Sequence, residues 1–291
     1  MESGFLELFF RGPFGWLAAG LWGLVWGSFF NVLIVRAPGR ESLVKPASHC
    51  RSCKAPIPWY DNIPVLSYLV LRGRCRACGA RFSPRYLLVE LLVAGLTLTM
   101  YYAFFISDPP GARPVGLLLA RFVIVSLFVG VLVAITFIDL ESMKIPDVIT
   151  YPAIPVCMGL SLFMGHPRLW DGLVGGVAGY LVIVVVAEGY RLITRRDGMG
   201  YGDAKLLAMI GGLMGWRVLL PVLFLASLQG SVIGISYLMI ARAIQKKKEG
   251  PLRHAKLPFG PFISLAAVEV LLLGDLLRVF FPYFYVGSWA A

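Results

Sequence analysis

Long apolar runs separated by short polar connections dominate the chain, and most carry no alternation that would leave one face polar. At roughly 20 apolar residues per crossing, the pattern predicts about eight transmembrane helices. They run from Phe14 to Val35, Leu87 to Ile106, Leu117 to Ile138, Val148 to Met164, Leu173 to Tyr190, Ala204 to Trp216, Leu219 to Ile240 and Phe262 to Phe281. No basic stretch precedes the first run and no small-residue cleavage site follows it, so it is expected to stay as a span rather than act as a signal peptide. Residues 36 to 85 form the one long hydrophilic insertion. The expected fold is an all-α polytopic membrane protein, divided into residues 1–110 (the first spans plus a cytoplasmic loop) and 111–291 (a six-helix bundle).

Composition agrees: 58% of the 291 residues are hydrophobic, against about 45–50% in soluble domains. The net charge of +11 is unevenly placed. The insertion carries Arg36, Arg40, Lys45, Arg51, Lys54, Arg72, Arg74, Arg76, Arg81 and Arg85 against Glu41 and Asp61, which assigns it to the cytoplasmic side. Counting onward, Arg191, Arg195, Arg196 and Lys246–Lys248 fall inside, while Ser107–Pro114, Gly165–Trp170 and both termini fall outside. The basic excess thus reports orientation against membrane lipids, and no nucleic-acid partner is expected.

Two aspartates stand out in this frame. Asp139 ends an outward-to-inward span and Asp203, in Gly200-Tyr201-Gly202-Asp203, begins an inward-to-outward one. Both are therefore predicted near the cytoplasmic face at similar depth. Carboxylates at the ends of apolar spans are costly to keep, and a facing pair can share one proton and activate water. Gly200 and Gly202 remove side-chain bulk beside Asp203. The run after it is about 13 residues, too short for a core of about 30 Å, so its helix is expected to begin below the membrane surface, in a recess. Asp147, after Pro146, either caps the next helix or supports the site. A transporter would place its carboxylates near the midplane and often show a duplicated architecture; here they lie near one face and no internal repeat is evident.

Four of the five cysteines form Cys50-Arg51-Ser52-Cys53 and Cys75-Arg76-Ala77-Cys78. Two such knuckles with a spacer of about 20 residues match a structural Zn2+ site closed by four thiolates, and disulfides rarely persist on the reducing side. A zinc-stapled cytoplasmic loop between helices 1 and 2 is the expectation, and Cys157 reads as a small buried hydrophobe. Glu188 is expected to snorkel or pair with Arg191, Glu269 to pair or guide substrate, and Arg121 to snorkel outward. His49, His166 and His254 do not form a metal set.

With these residues in hand, the chain resembles the type IV prepilin peptidases, bifunctional leader peptidases and N-methyltransferases of type IV pilus and type II secretion systems. The resemblance rests on Gly27-Ser28-Phe29-Phe30-Asn31-Val32, both cysteine pairs, Asn62-Ile63-Pro64, Leu71-Arg72-Gly73, the Asp139 motif through Ile145-Pro146-Asp147, Gly200 to Lys205, and Pro258-Phe259-Gly260-Pro261-Phe262. It implies an aspartic protease of the GxGD class with Asp139 and Asp203 as its catalytic carboxylates, supported by Gly200, Gly202, Lys205, Pro146 and Asp147. It further implies prepilin and pseudopilin substrates, cleavage after a glycine at the cytoplasmic side of the inner membrane, and N-methylation of the new terminus by S-adenosylmethionine. The cysteine-bearing loop and first spans correspond to the part tied to methylation. No GxGxxG marks a dinucleotide-type cofactor site, and Asn31, Arg36, Asn62, Arg72, Arg85 and Glu90 are only candidates for the methyl donor.

Overall fold

The computed structural model describes residues 9–107, 111–164, 169–195, 200–244, 257–277 and 279–281. His166, His254, Arg196 and Lys246–Lys248 lie outside the described residues, as does part of each expected external loop. Helices are α1 Pro13–Arg36, α2 Leu66–Val70, α3 Arg85–Tyr101 running into a π turn Tyr102–Ile106, α4 Val115–Ser142, α5 Asp147–Leu160, α6 Leu169–Thr194, α7 Tyr201–Met214, α8 Leu219–Ile244 and α9 Gly260–Leu277. Among the described residues there are no named strands, only isolated bridges in the 36–85 insertion. Among the described residues six helices are long and apolar enough to cross a membrane, and Gly260–Gly274 is a shorter apolar helix. α7, with 14 residues, and α9 are the two expected spans outside those six.

The chain separates into two compact units, one up to Ala134 and one from Ile135 on, with the division falling inside α4. In the first unit α1 lies on α3. Gly15, Ala19, Gly23 and Gly27 recur every fourth residue of α1 and are all buried, a small-residue stripe of the kind that lets membrane helices approach closely. A Cβ at Gly23 would stand 2.7 Å from the Ala94 Cα, and one at Gly27 would stand 2.8 Å from the Glu90 Cα. Trp22 adds a hydrogen bond from Nε1 to Ser126 Oγ at 3.1 Å. Arg121 is buried and engaged with the protein rather than snorkelling.

In the second unit, every residue of α7 from Asp203 to Met214 is buried. A helix apolar on all sides belongs inside a bundle, and α7 packs against α5, α6 and α9. Its backbone meets α6 at glycines: a Cβ at Gly175 would stand 2.1 Å from Gly211 O. The shortness of α7 follows, since its neighbours rather than lipid surround it. Cys157 is buried as expected.

Candidate active site and metal centre

Asp139 sits in the last turn of α4, where its carbonyl accepts the Met143 N–H at 2.8 Å. Met143 takes a positive φ of 52°, which ends the helix and starts the short Lys144–Pro146 connection. Asp203 is the third residue of α7, behind an extended Gly200. Both aspartates are buried, at 5% and 8% exposure, and near enough for the charge of Asp139 to act on Asp203. The structure thus brings the two sequence-predicted carboxylates together within the second unit.

Each is tethered by a glycine backbone: Gly260 hydrogen-bonds Asp139 and Gly200 hydrogen-bonds Asp203. Ile145 occupies the space that glycines leave. A Cβ on Gly202 would lie 3.1 Å from Ile145 Cβ, and one on Gly260 would lie 3.1 Å from Ile145 Cδ1.

Asp147 does not act as a cap. It is the first residue of α5 and makes no capping hydrogen bond; its carboxylate instead pairs with Lys205 Nζ. Lys205 is 9% exposed and also lies 4.7 Å from the centre of the Tyr151 ring, so its charge is offset twice. The pair ties the connection after Asp139 to the helix that carries Asp203. Asp147→Asn leaves Lys205 over Tyr151 and is expected to lower the melting temperature by a few degrees while leaving measurable cleavage. A double-mutant cycle with Lys205→Met should give a coupling of about 1 kcal/mol.

Two further carboxylates on the spans, Glu188 and Glu269, find partners. Glu188 pairs with Arg191 at 2.7 Å and with the Tyr201 hydroxyl. Glu269 accepts from Gln229, which supports the pairing role over substrate guidance.

In the 36–85 insertion the four cysteine Sγ atoms lie within 4.8 Å of one another, and Cys50 Sγ and Cys78 Sγ are 3.8 Å apart. Tetrahedral ligation with Zn–S of about 2.3 Å needs S···S separations of about 3.8 Å, so the thiols fit a four-coordinate metal. All are free of disulfides. Backbone N–H groups of Cys53 and Ser52 bring the Cys50 thiol down to about 6, towards the thiolate a metal requires.

The two knuckles repeat each other, a relation the sequence reading missed. Cys50 N–H donates to Ala55 O and Cys75 N–H to Ala80 O; Lys54 N–H donates to Cys50 O and Gly79 N–H to Cys75 O; Ile57 N–H reaches Ser48 O and Phe82 N–H reaches Gly73 O. Lys54 and Gly79 share a positive φ, 60° and 71°. The signal was legible in Cys-Arg-x-Cys-x-Ala recurring 25 residues on.

Three of the six candidates for the methyl donor make hydrogen bonds within or beside this insertion. Arg36 donates to Ser42 O and Pro46 O at 2.8 Å each. Asn31 Nδ2 donates to Tyr86 O at 2.9 Å, and Glu90 accepts the Val65 N–H at 2.8 Å. Asn62 lies in a 3-10 turn, Trp59–Asn62. Arg72 has a positive φ of 53° in the turn after α2. Arg76 grips Asp61 with two bonds of 2.7 and 2.6 Å and holds that carboxyl below its ordinary range.

Comparison with known proteins places these features. Residues 21–104 match the Bacterial Peptidase A24 N-terminal domain, and residues 126–235 match the Type IV leader peptidase family. The chain is 37% identical over 280 residues to a prepilin leader peptidase/N-methyltransferase of Aeromonas salmonicida, covering 88% of this chain and 89% of that one. It is 35% identical over 300 residues to the protein of that name from Dichelobacter nodosus, covering 94% and 96%. A Myxococcus xanthus protein of the same name is 32% identical over 315 residues, covering 89% and 90%. No solved structure matches. With its two halves matching the two domains and its length matched nearly end to end, the chain belongs to the type IV leader peptidase family.

Proposed function

We propose that this protein removes the leader from prepilins and pseudopilins by aspartic-protease chemistry and then N-methylates the new terminus. The observation that carries the peptidase reading is the buried pair Asp139 and Asp203, each tethered by a glycine backbone in one bundle. One carboxylate, ionised, takes a proton from water as its oxygen attacks the peptide carbonyl, while the other, protonated, donates to the carbonyl oxygen. Collapse of the tetrahedral species breaks the C–N bond, and the departing amine takes up a proton. The two groups titrate as a unit, so neither is assigned alone as the acid.

The basic charge of the insertion supports a position of the metal loop and both aspartates at the cytoplasmic face of the inner membrane. Cys50, Cys53, Cys75 and Cys78 would hold a structural Zn2+ with no open position for substrate. S-adenosylmethionine supplies the methyl group when bound. Asn31 Oδ1 is buried without a hydrogen-bond partner, and the backbone of buried Glu90 meets Gly27 on the α1–α3 interface while its carboxylate accepts the Val65 N–H. Such acceptor-rich ground suits a sulfonium or an amine. The test is incubation of the purified protein with a full-length prepilin: release of the leader after a glycine supports the reading, and an intact substrate contradicts it.

A further inference from the structure

We propose that Gly260 is a positioning residue of the peptidase centre, its backbone N–H and its missing side chain together fixing where the Asp139 carboxylate points. The inference rests on the peptidase reading above. Gly260 is the first residue of α9, and a Cβ there would stand 2.6 Å from Asp139 Oδ2, a separation no real Cβ tolerates. Its φ is not in the left-handed region, so the backbone shape is open to any residue. Glycine is needed for space.

The surrounding chain explains how the N–H is aimed. Phe259 O already accepts from Phe262 N–H at 3.1 Å and Ile263 N–H at 3.2 Å, closing the first turn. Residue 261 is proline and has no N–H. That leaves Gly260 N–H, one of the donors a helix start cannot satisfy internally, to bond Asp139. Pro258 and Pro261 flank it and restrict the local φ, which holds the donor in place. On the opposite side Ile145 fills the slot between Gly260 and Gly202.

The test uses the full chain in nanodiscs. Gly260→Ala is expected to lower kcat for prepilin cleavage by about 100-fold, the cost of a misplaced reacting group, with KM nearly unchanged. N-methylation of a pre-cleaved pilin should persist and show that the variant is folded. The infrared carboxyl band of Asp139, identified by subtracting the Asp139→Asn spectrum, should move. Adding Ile145→Val removes Cδ1, the Ile145 atom nearest the new methyl, and should restore nothing, because the Asp139 contact remains. Where Gly260→Ala does not fold, cell-free incorporation of glycolic acid at position 260 replaces the N–H by an ester oxygen without adding a Cβ; the same band shift and fall in kcat are expected. Cleavage within a few-fold of wild type, rescue by Ile145→Val, or an unmoved carboxyl band would overturn the proposal. Failure of the wild type to cleave prepilin would instead refute the peptidase reading, and the infrared band would still report on the Gly260–Asp139 contact.

Discussion

Asp139→Asn and Asp203→Asn are each expected to lower leader cleavage by about 1,000- to 10,000-fold, the scale of a lost proton carrier at a reacting centre. Asparagine keeps the shape of the carboxylate and its hydrogen bond from the glycine N–H, but it cannot exchange a proton at working pH. Because both side chains are buried, removing a charge there does not weaken the bundle, and the variants should insert normally. Methylation of a pre-cleaved pilin by both variants is the control for folding. A dead Asp147→Asn beside an active Asp139→Asn would reassign the pair, since Asp147 is bound to Lys205 and follows directly on the same short connection.

Breaking the four-thiol cluster is the second large perturbation. Neither the 3-10 turn Trp59–Asn62 nor α2 buries any residue, and Trp59, Leu66, Leu69 and Val70 are exposed. The insertion therefore has little core of its own. Its shape depends on the four thiols, on the Asp61–Arg76 pair, and on the hydrogen bonds of Asn31, Arg36 and Glu90. Structural zinc in small modules contributes about 10–16 kcal/mol at neutral pH, more than those bonds can replace. Replacing Cys50 and Cys53 together by serine should reduce bound metal from about one per chain to none and open the insertion to protease. Methyl transfer should fall by more than ten-fold while cleavage, centred in the second unit, falls less. Equal loss of both activities would mean that the insertion supports the whole enzyme, and a metal-free chain with two disulfides would refute both the site and its cytoplasmic placement.

Hydropathy made the spans legible because each long helix is apolar for most of its length; α1 and α4 match their predicted limits to within a few residues. The aspartates were legible for the same reason, as charges at the ends of apolar runs. What lay beyond reach was pairing across the bundle. Nothing local announces that Asp147 meets Lys205, 58 residues away, and the cap reading rested only on the position of Asp147 after a proline. Arg121 was expected to snorkel because one helix was read alone, whereas its burial comes from neighbours. Gly260 was visible as part of a proline-flanked motif, yet its proximity to Asp139 depends on α4 and α9, which are more than 100 residues apart in sequence.

The most direct test of two activities in fixed order is one incubation with full-length prepilin and isotope-labelled S-adenosylmethionine, read by mass spectrometry for wild type and Asp203→Asn in parallel. The methyl acceptor is an amine that exists only once the leader has gone. Wild type should yield a leader-free pilin carrying one labelled methyl on its new terminus, and Asp203→Asn should leave the substrate uncleaved and unlabelled. Labelled but uncleaved prepilin, or a leader released by Asp203→Asn, would contradict the account.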